Sequence, residues 1–133
     1  MRAKLTLICV IGMAMSGWAS SASAHHAFAA EFDATKPFKL TGVVTKVEWQ
    51  NPHTFFYLDI ADDQTKKVTN WAFELGSPNG LMRNGWTRNT LKVGDVVTVE
   101  GSLARSGTSY GNAQTVMLNG KRLFAASSRA ETP

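Results

Sequence analysis

Ser77-Pro78-Asn79-Gly80-Leu81-Met82-Arg83-Asn84-Gly85 is the stretch on which the reading of the fold depends. Serine followed by proline is a common start to a helix. The hydroxyl can accept from an orphan backbone N–H, and proline has no N–H to leave unpaired in the first turn. Asn84-Gly85 is the matching stop, because both residues tolerate the left-handed conformation that ends a helix. One short helix fits between these signals, and the chain on either side of it reads as strand.

Upstream, Val68 to Leu75 puts Trp71, Phe73 and Leu75 on one face and Asn70 and Glu74 on the other, with the period of two that marks a strand. His53 to Ala61 is dense in aromatic and branched residues and ends at the turn Asp62-Asp63-Gln64. Within it Phe56 lies opposite Phe55 and Tyr57, so one of these two sets faces outward or lies under another segment. Phe38 to Gln50 is a long strand in which Phe38, Leu40, Val43, Val47 and Trp49 alternate with polar residues. Its apolar parity changes across Gly42, where a bulge is expected.

Downstream, Leu91-Lys92-Val93-Gly94-Asp95 is a turn feeding a strand from Val96 to Leu103. Asn112 to Leu118 and Lys121 to Phe124 flank Asn119-Gly120, a dipeptide suited to a tight hairpin because both residues accept positive φ. A loop rich in Ser and Gly, residues 101–111, joins the last long strands. The order of three strands, a short helix, then further strands predicts an all-β fold. It is a small five- to six-stranded OB-like Greek-key barrel over residues 38–124, with the helix between strands 3 and 4. A flattened sandwich is the rival. Residues 25–37 read as an N-terminal arm, with Phe28 and Phe32 four apart, either on a helical turn laid on the barrel or on an extended anchor. Residues 125–133 read as a loose tail.

Residues 1–24 have the plan of a signal peptide: Arg2 and Lys4 at the start, an apolar run from Leu5 to Met15, and the small-residue cleavage site Ala22-Ser23-Ala24. The run is shorter than the ~20 residues of a spanning helix, so no membrane span is expected after processing. A periplasmic or secreted protein follows. Removing 24 of the 133 residues leaves 109, enough for one domain with its own core. It also removes Cys9, so no disulfide is available. The formal charge of +4 falls to +2 without Arg2 and Lys4, and its basic residues are scattered. Nucleic acid is therefore not expected as a partner.

Cleavage after Ala24 would place His25 and His26 at the start of the mature chain, and His53 is the one other histidine. An α-amine has a pKa near ~7.7, against ~10.4 for a lysine, so at neutral pH it sheds its proton at far lower cost. The amine and ring of His25, completed by the imidazole of His53, would form a three-nitrogen histidine brace suited to Cu(II). His26 is auxiliary, or forms a different chelate through its own amide nitrogen and the His25 amine. Glu74 or Asp33 is a candidate to orient an imidazole. The plain alternative is that His25 and His26 are solvated and that the ring of His53 bonds a backbone carbonyl. No G-x-S-x-G elbow and no converging acid pair is legible, so a non-catalytic protein is expected.

The chain resembles a family of small exported bacterial proteins catalogued only as a domain of unknown function. The resemblance rests on His25-His26-Ala27-Phe28, Glu31-Phe32-Asp33, Gly42-Val43-Val44, Trp49-Gln50-Asn51-Pro52-His53, Trp71 with Glu74, Ser77-Pro78, and Leu91-Lys92-Val93-Gly94-Asp95. It implies an exported barrel-like domain and carries no reaction. Two functions stand side by side. One is a periplasmic copper carrier or sequestering protein using His25, His53 and His26. The other is a metal-free interaction module that binds a periplasmic protein or small ligand through an aromatic barrel face.

Overall fold

The computed structural model describes residues 27–127. Residues 27–31 form a short helix, α1. The strands are β1 (Phe32–Glu48), β2 (Phe55–Ala61), β3 (Val68–Glu74), β4 (Val96–Ala104), β5 (Tyr110–Leu118) and β6 (Lys121–Phe124), and α2 (Pro78–Arg83) lies between β3 and β4. The sheet order is β3-β2-β1-β4-β5-β6, and a parallel pairing of β3 with β5 closes the first five strands into a ring. β1 makes this possible by its length. Its residues from Phe32 to Val43 face β4, and those from Val43 to Glu48 face β2. This is the OB-like barrel, with the helix where the sequence puts it.

Inside the ring, Phe56, Leu58, Phe73, Leu75, Val97, Val99 and Val116 are fully buried in one cluster. Phe56 stacks on Phe73 at 5.3 Å, so Phe56 is the inward member of its strand and Phe55 and Tyr57 point out. α2 adds Leu81, fully buried beside Trp86 and Leu91. A leucine so placed contributes about 1.5–3 kcal/mol of apolar transfer. Ser77 caps the helix as its sequence predicts, its Oγ accepting from Gly80 N at 3.2 Å. Gly85 follows at φ +85°, which a β-carbon would disfavour.

The parity change in β1 falls at a different place from the one its sequence suggests. Against β2 the register slips between Val44 and Lys46, so Thr45 is the extra residue, and Gly42 sits in regular pairing. Gly42 is needed for another reason: a β-carbon there would lie 2.5 Å from the Asp59 carbonyl oxygen. Leu40, Gly42 and Val44 thus share the inward side. Val44 is buried, whereas Val43, one of the alternating apolar residues of the sequence, is 41% exposed.

Both ends of the expected domain also move. The arm of residues 25–37 is not separate from the barrel, because β1 begins at Phe32, which pairs with Ala104. The register then slips between Asp33 and Pro37, and Asp33 Oδ1 holds the bulge by accepting from Thr35 N at 3.0 Å and Thr35 Oγ1 at 2.7 Å. The first residues of the expected loose tail are fixed. Ala125 N donates to Gln114 O at 2.9 Å, Gly76 N donates to Ala125 O at 2.8 Å, and Ala125 and Ser127 are fully buried. Among the described residues no helix is long and apolar enough to cross a membrane.

Candidate functional site

Closing the ring brings together residues far apart in sequence. The parallel pairing sets Ala72 opposite Tyr110 and Glu74 opposite Asn112. Because Phe73 and Leu75 point into the core, Glu74, Tyr110 and Asn112 share the outer face of the seam. That face is nonetheless covered. α1 leads into Phe32, which is buried and lies 5.2 Å from the Tyr110 ring, and Phe28 packs on Phe32 at 5.4 Å. Phe28 lies on the helical turn, whereas Phe32 is the first residue of β1, so the two rings meet across the junction of α1 and β1. Arg105 fastens this segment, its Nε donating to Ala29 O at 2.7 Å and its backbone N–H to Glu31 O at 2.9 Å.

Under this cover Glu74 is 6% exposed, and burial is the largest influence on its carboxyl, pushing its pKa up. Three partners pull the other way. Tyr110 OH donates to Glu74 Oε2 at 2.8 Å, the ring of His53 approaches Oε1 at 3.5 Å, and the amide of Asn112 exerts the weakest pull. Asn112 is fully buried, and its carboxamide makes no well-formed hydrogen bond among the described residues. Glu31, at the end of α1, is close enough for its charge to act on both Glu74 and Tyr110. Burial first, and then the two carboxylates, push the Tyr110 phenol up, so it remains a donor.

His53 enters from the loop before β2, with 37% of its side chain exposed. Its Nδ1 lies 3.3 Å from Leu75 O as well as beside Glu74. A carbonyl oxygen can only accept, so this contact assigns the proton of the neutral ring to Nδ1 and leaves the lone pair on Nε2. The carbonyl bond foreseen in the plain reading of His53 is therefore present, and it orients the ring in the way that metal-bound histidines are usually oriented.

Of the sequence candidates, His53 and Glu74 are brought together. Asp33 is not part of this group; it serves the β1 bulge and faces Arg105 at 3.7 Å. The Thr35 hydroxyl is the main reason its carboxyl sits low. His25 and His26 lie outside the described residues. Among the described residues no three His, Cys, Asp or Glu side chains converge as a metal-binding group. Sequence reasoning missed Tyr110 and Asn112, which carry no local signature and reach Glu74 only through the seam.

Fold and site together define an OB-like barrel whose closing seam carries a buried carboxylate, a tyrosine and a histidine under an N-terminal strap. By sequence the chain belongs to DUF6152, a family of unknown function, whose model matches residues 14–114. No curated protein matches it.

Proposed function

We propose that this chain is an exported, non-catalytic copper-binding protein, a carrier or sequestering protein, processed after Ala24 and holding Cu(II) between its new N-terminus and His53. The observation that carries this reading is the fixed ring of His53. With Nδ1 turned to Leu75 O at 3.3 Å and to Glu74 at 3.5 Å, Nε2 is the nitrogen left for a ligand.

The strap supports the second half of the reading. Glu31 acts on the same Glu74 that His53 meets, and only a short helical segment separates Glu31 from His26 in sequence. At ~1.5 Å per helical residue the start of α1 is about 6 Å from Glu31, and the proposed new N-terminus would precede that point by two residues. The amine and ring of His25 with Nε2 of His53 supply three nitrogens in the tetragonal set that Cu(II) prefers. His26 is auxiliary. Glu74 is a positioning residue, which raises the basicity of the ligating ring through Nδ1–H.

The test is a Cu(II) titration of protein whose N-terminus is verified by mass spectrometry to be His25. One equivalent should bind with a tetragonal three-nitrogen signature in electron paramagnetic resonance. One extra residue before His25, or His53→Ala, should each weaken binding by more than about tenfold, the scale on which metal sites respond even to loss of a supporting group. Uptake no tighter than that of an unstructured His-His peptide would sink the proposal.

A further inference from the structure

A second feature lies toward the other end of β3 and owes nothing to the metal reading. Where β3 leaves β5 below Ala72, the mouth of the barrel holds a cavity of about 360 Å³ lined by Leu40, Ile60, Trp71, Asp63, Lys67 and Ser109 among others. This is near the lower end of the ~300–1,000 Å³ span of small-molecule pockets, and too little for an oligonucleotide.

The lining is divided. Leu40, Ile60 and Trp71 form the apolar part, and Trp71 is held there by stacking on Phe73 at 6.0 Å with an interplanar angle of 11°. The charged residues come from the β2–β3 turn. Asp62 is committed to that turn, its Oδ1 accepting from Gln64 N at 3.0 Å, Thr65 N at 2.7 Å and Thr65 Oγ1 at 3.0 Å. The turn closes through Asp62 N to Lys67 O at 2.9 Å and Lys66 N to Asp62 O at 2.9 Å. It therefore presents its remaining charges from a fixed loop. Of the charges that line the cavity, the carboxylate of Asp63 and the ammonium of Lys67 have no hydrogen-bond or ion-pair partner among the described residues, and Lys66 of the same turn does not line it. Beside the turn-bound Asp62, a free anion and a free cation thus border one partly apolar cavity.

We infer that the barrel mouth binds a small zwitterion with an apolar body, the chemistry of a free apolar α-amino acid, its ammonium toward Asp63, its carboxylate toward Lys67 and its side chain against Leu40, Ile60 and Trp71. A simple organic cation or anion satisfies one of the two free charges and leaves the other facing a like charge. A neutral apolar molecule uses neither. Only the zwitterion meets both charges together with the apolar wall. Each exposed ion pair is weak, so affinity comes mainly from the apolar body and the charges select among candidates.

The experiment uses L-leucine, isoamylamine, 4-methylvalerate and isoamyl alcohol as probes, titrated into the protein while the Trp71 indole and the Thr69 and Ser109 amides are followed by ¹H–¹⁵N NMR. Leucine should shift these signals and bind about two- to fivefold tighter than either singly charged analogue, the range that one exposed ion pair supplies. Lys67→Gln should weaken leucine and 4-methylvalerate and slightly tighten isoamylamine, which no longer faces a like charge, and Asp63→Asn should weaken leucine and isoamylamine and slightly tighten 4-methylvalerate. Both residues are exposed, so neither variant endangers the fold, which circular dichroism verifies. No localised shift with leucine up to tens of millimolar overturns the inference. So does isoamyl alcohol binding as well as leucine, or charge variants that do not discriminate among the probes.

Discussion

Tyr110 OH donates to Glu74 Oε2 at 2.8 Å, a bond between neighbouring strands of a parallel seam that no local pattern announces. It supplies one buried carboxylate oxygen with its donor. Tyr110→Phe keeps the ring against Phe32 and removes only the hydroxyl. The variant should lose about 1–3 kcal/mol of stability, the usual cost of leaving a buried polar group unpaired. It should also raise the Glu74 pKa further. Urea denaturation checks the first outcome, and carboxyl-detected NMR titration the second.

The pH dependence follows from the same carboxyl. Burial outweighs the pull of Tyr110 and His53, so the folded pKa of Glu74 lies above the ordinary glutamate value of 4.5. The folded state then holds the proton more tightly than the unfolded chain does. Its contribution to stability is fully present below the unfolded value and is lost as pH rises through the folded one. Metal-free protein should therefore melt at a lower temperature as this carboxyl ionises, and Glu74→Gln should flatten that part of the profile. Melting curves from about pH 4 to about pH 7 bracket the change.

The bulge at Thr45 makes a paired prediction. Val44 is 1% exposed and Val43 is 41% exposed. Val44→Ala should cost roughly 2 kcal/mol through lost apolar contact and the cavity left behind. Val43→Thr should stay within about 0.5 kcal/mol, as surface changes do. Equal costs in chemical denaturation would show that the register is wrong.

α2 is tested at Leu81, which is fully buried beside Trp86 and Leu91. Leu81→Ala should destabilise by about 2–5 kcal/mol, and Ser77→Ala by about 1 kcal/mol through loss of the cap. The second change should leave the slope of the denaturation curve unaltered, because the same surface is exposed on unfolding.

Much of this architecture is written locally. Ser77-Pro78 and Asn84-Gly85 bound the helix, Asn119 and Gly120 take positive φ in the last hairpin, and Trp71 and Phe73 alternate as β3 requires, with Leu75 continuing the pattern just past its end. The β1 irregularities carry a weaker local signal. Gly42 carries the residue type of a bulge while serving a close approach to Asp59, and Thr45 carries no signature of the bulge it makes. Pro37 and the three residues before it disguise the early start of β1, because the register slip between Asp33 and Pro37 interrupts the alternation. The pairing of His53 with Glu74 was visible only as a list of candidates. Tyr110, sitting next to a loop rich in Ser and Gly, was not visible at all, because long-range strand pairing, not spacing, sets it beside Glu74.

The seam itself has a mechanical consequence. β5 meets β3 over three residue pairs, Ala72 with Tyr110 through Glu74 with Asn112, whereas the other four pairings of the ring are longer. The hoop is therefore cinched by its briefest clasp. Backbone amides at that clasp should trade hydrogen for deuterium sooner than those of the β1–β4 ladder, and the strap from Phe28 to Phe32 is the weight that keeps it shut.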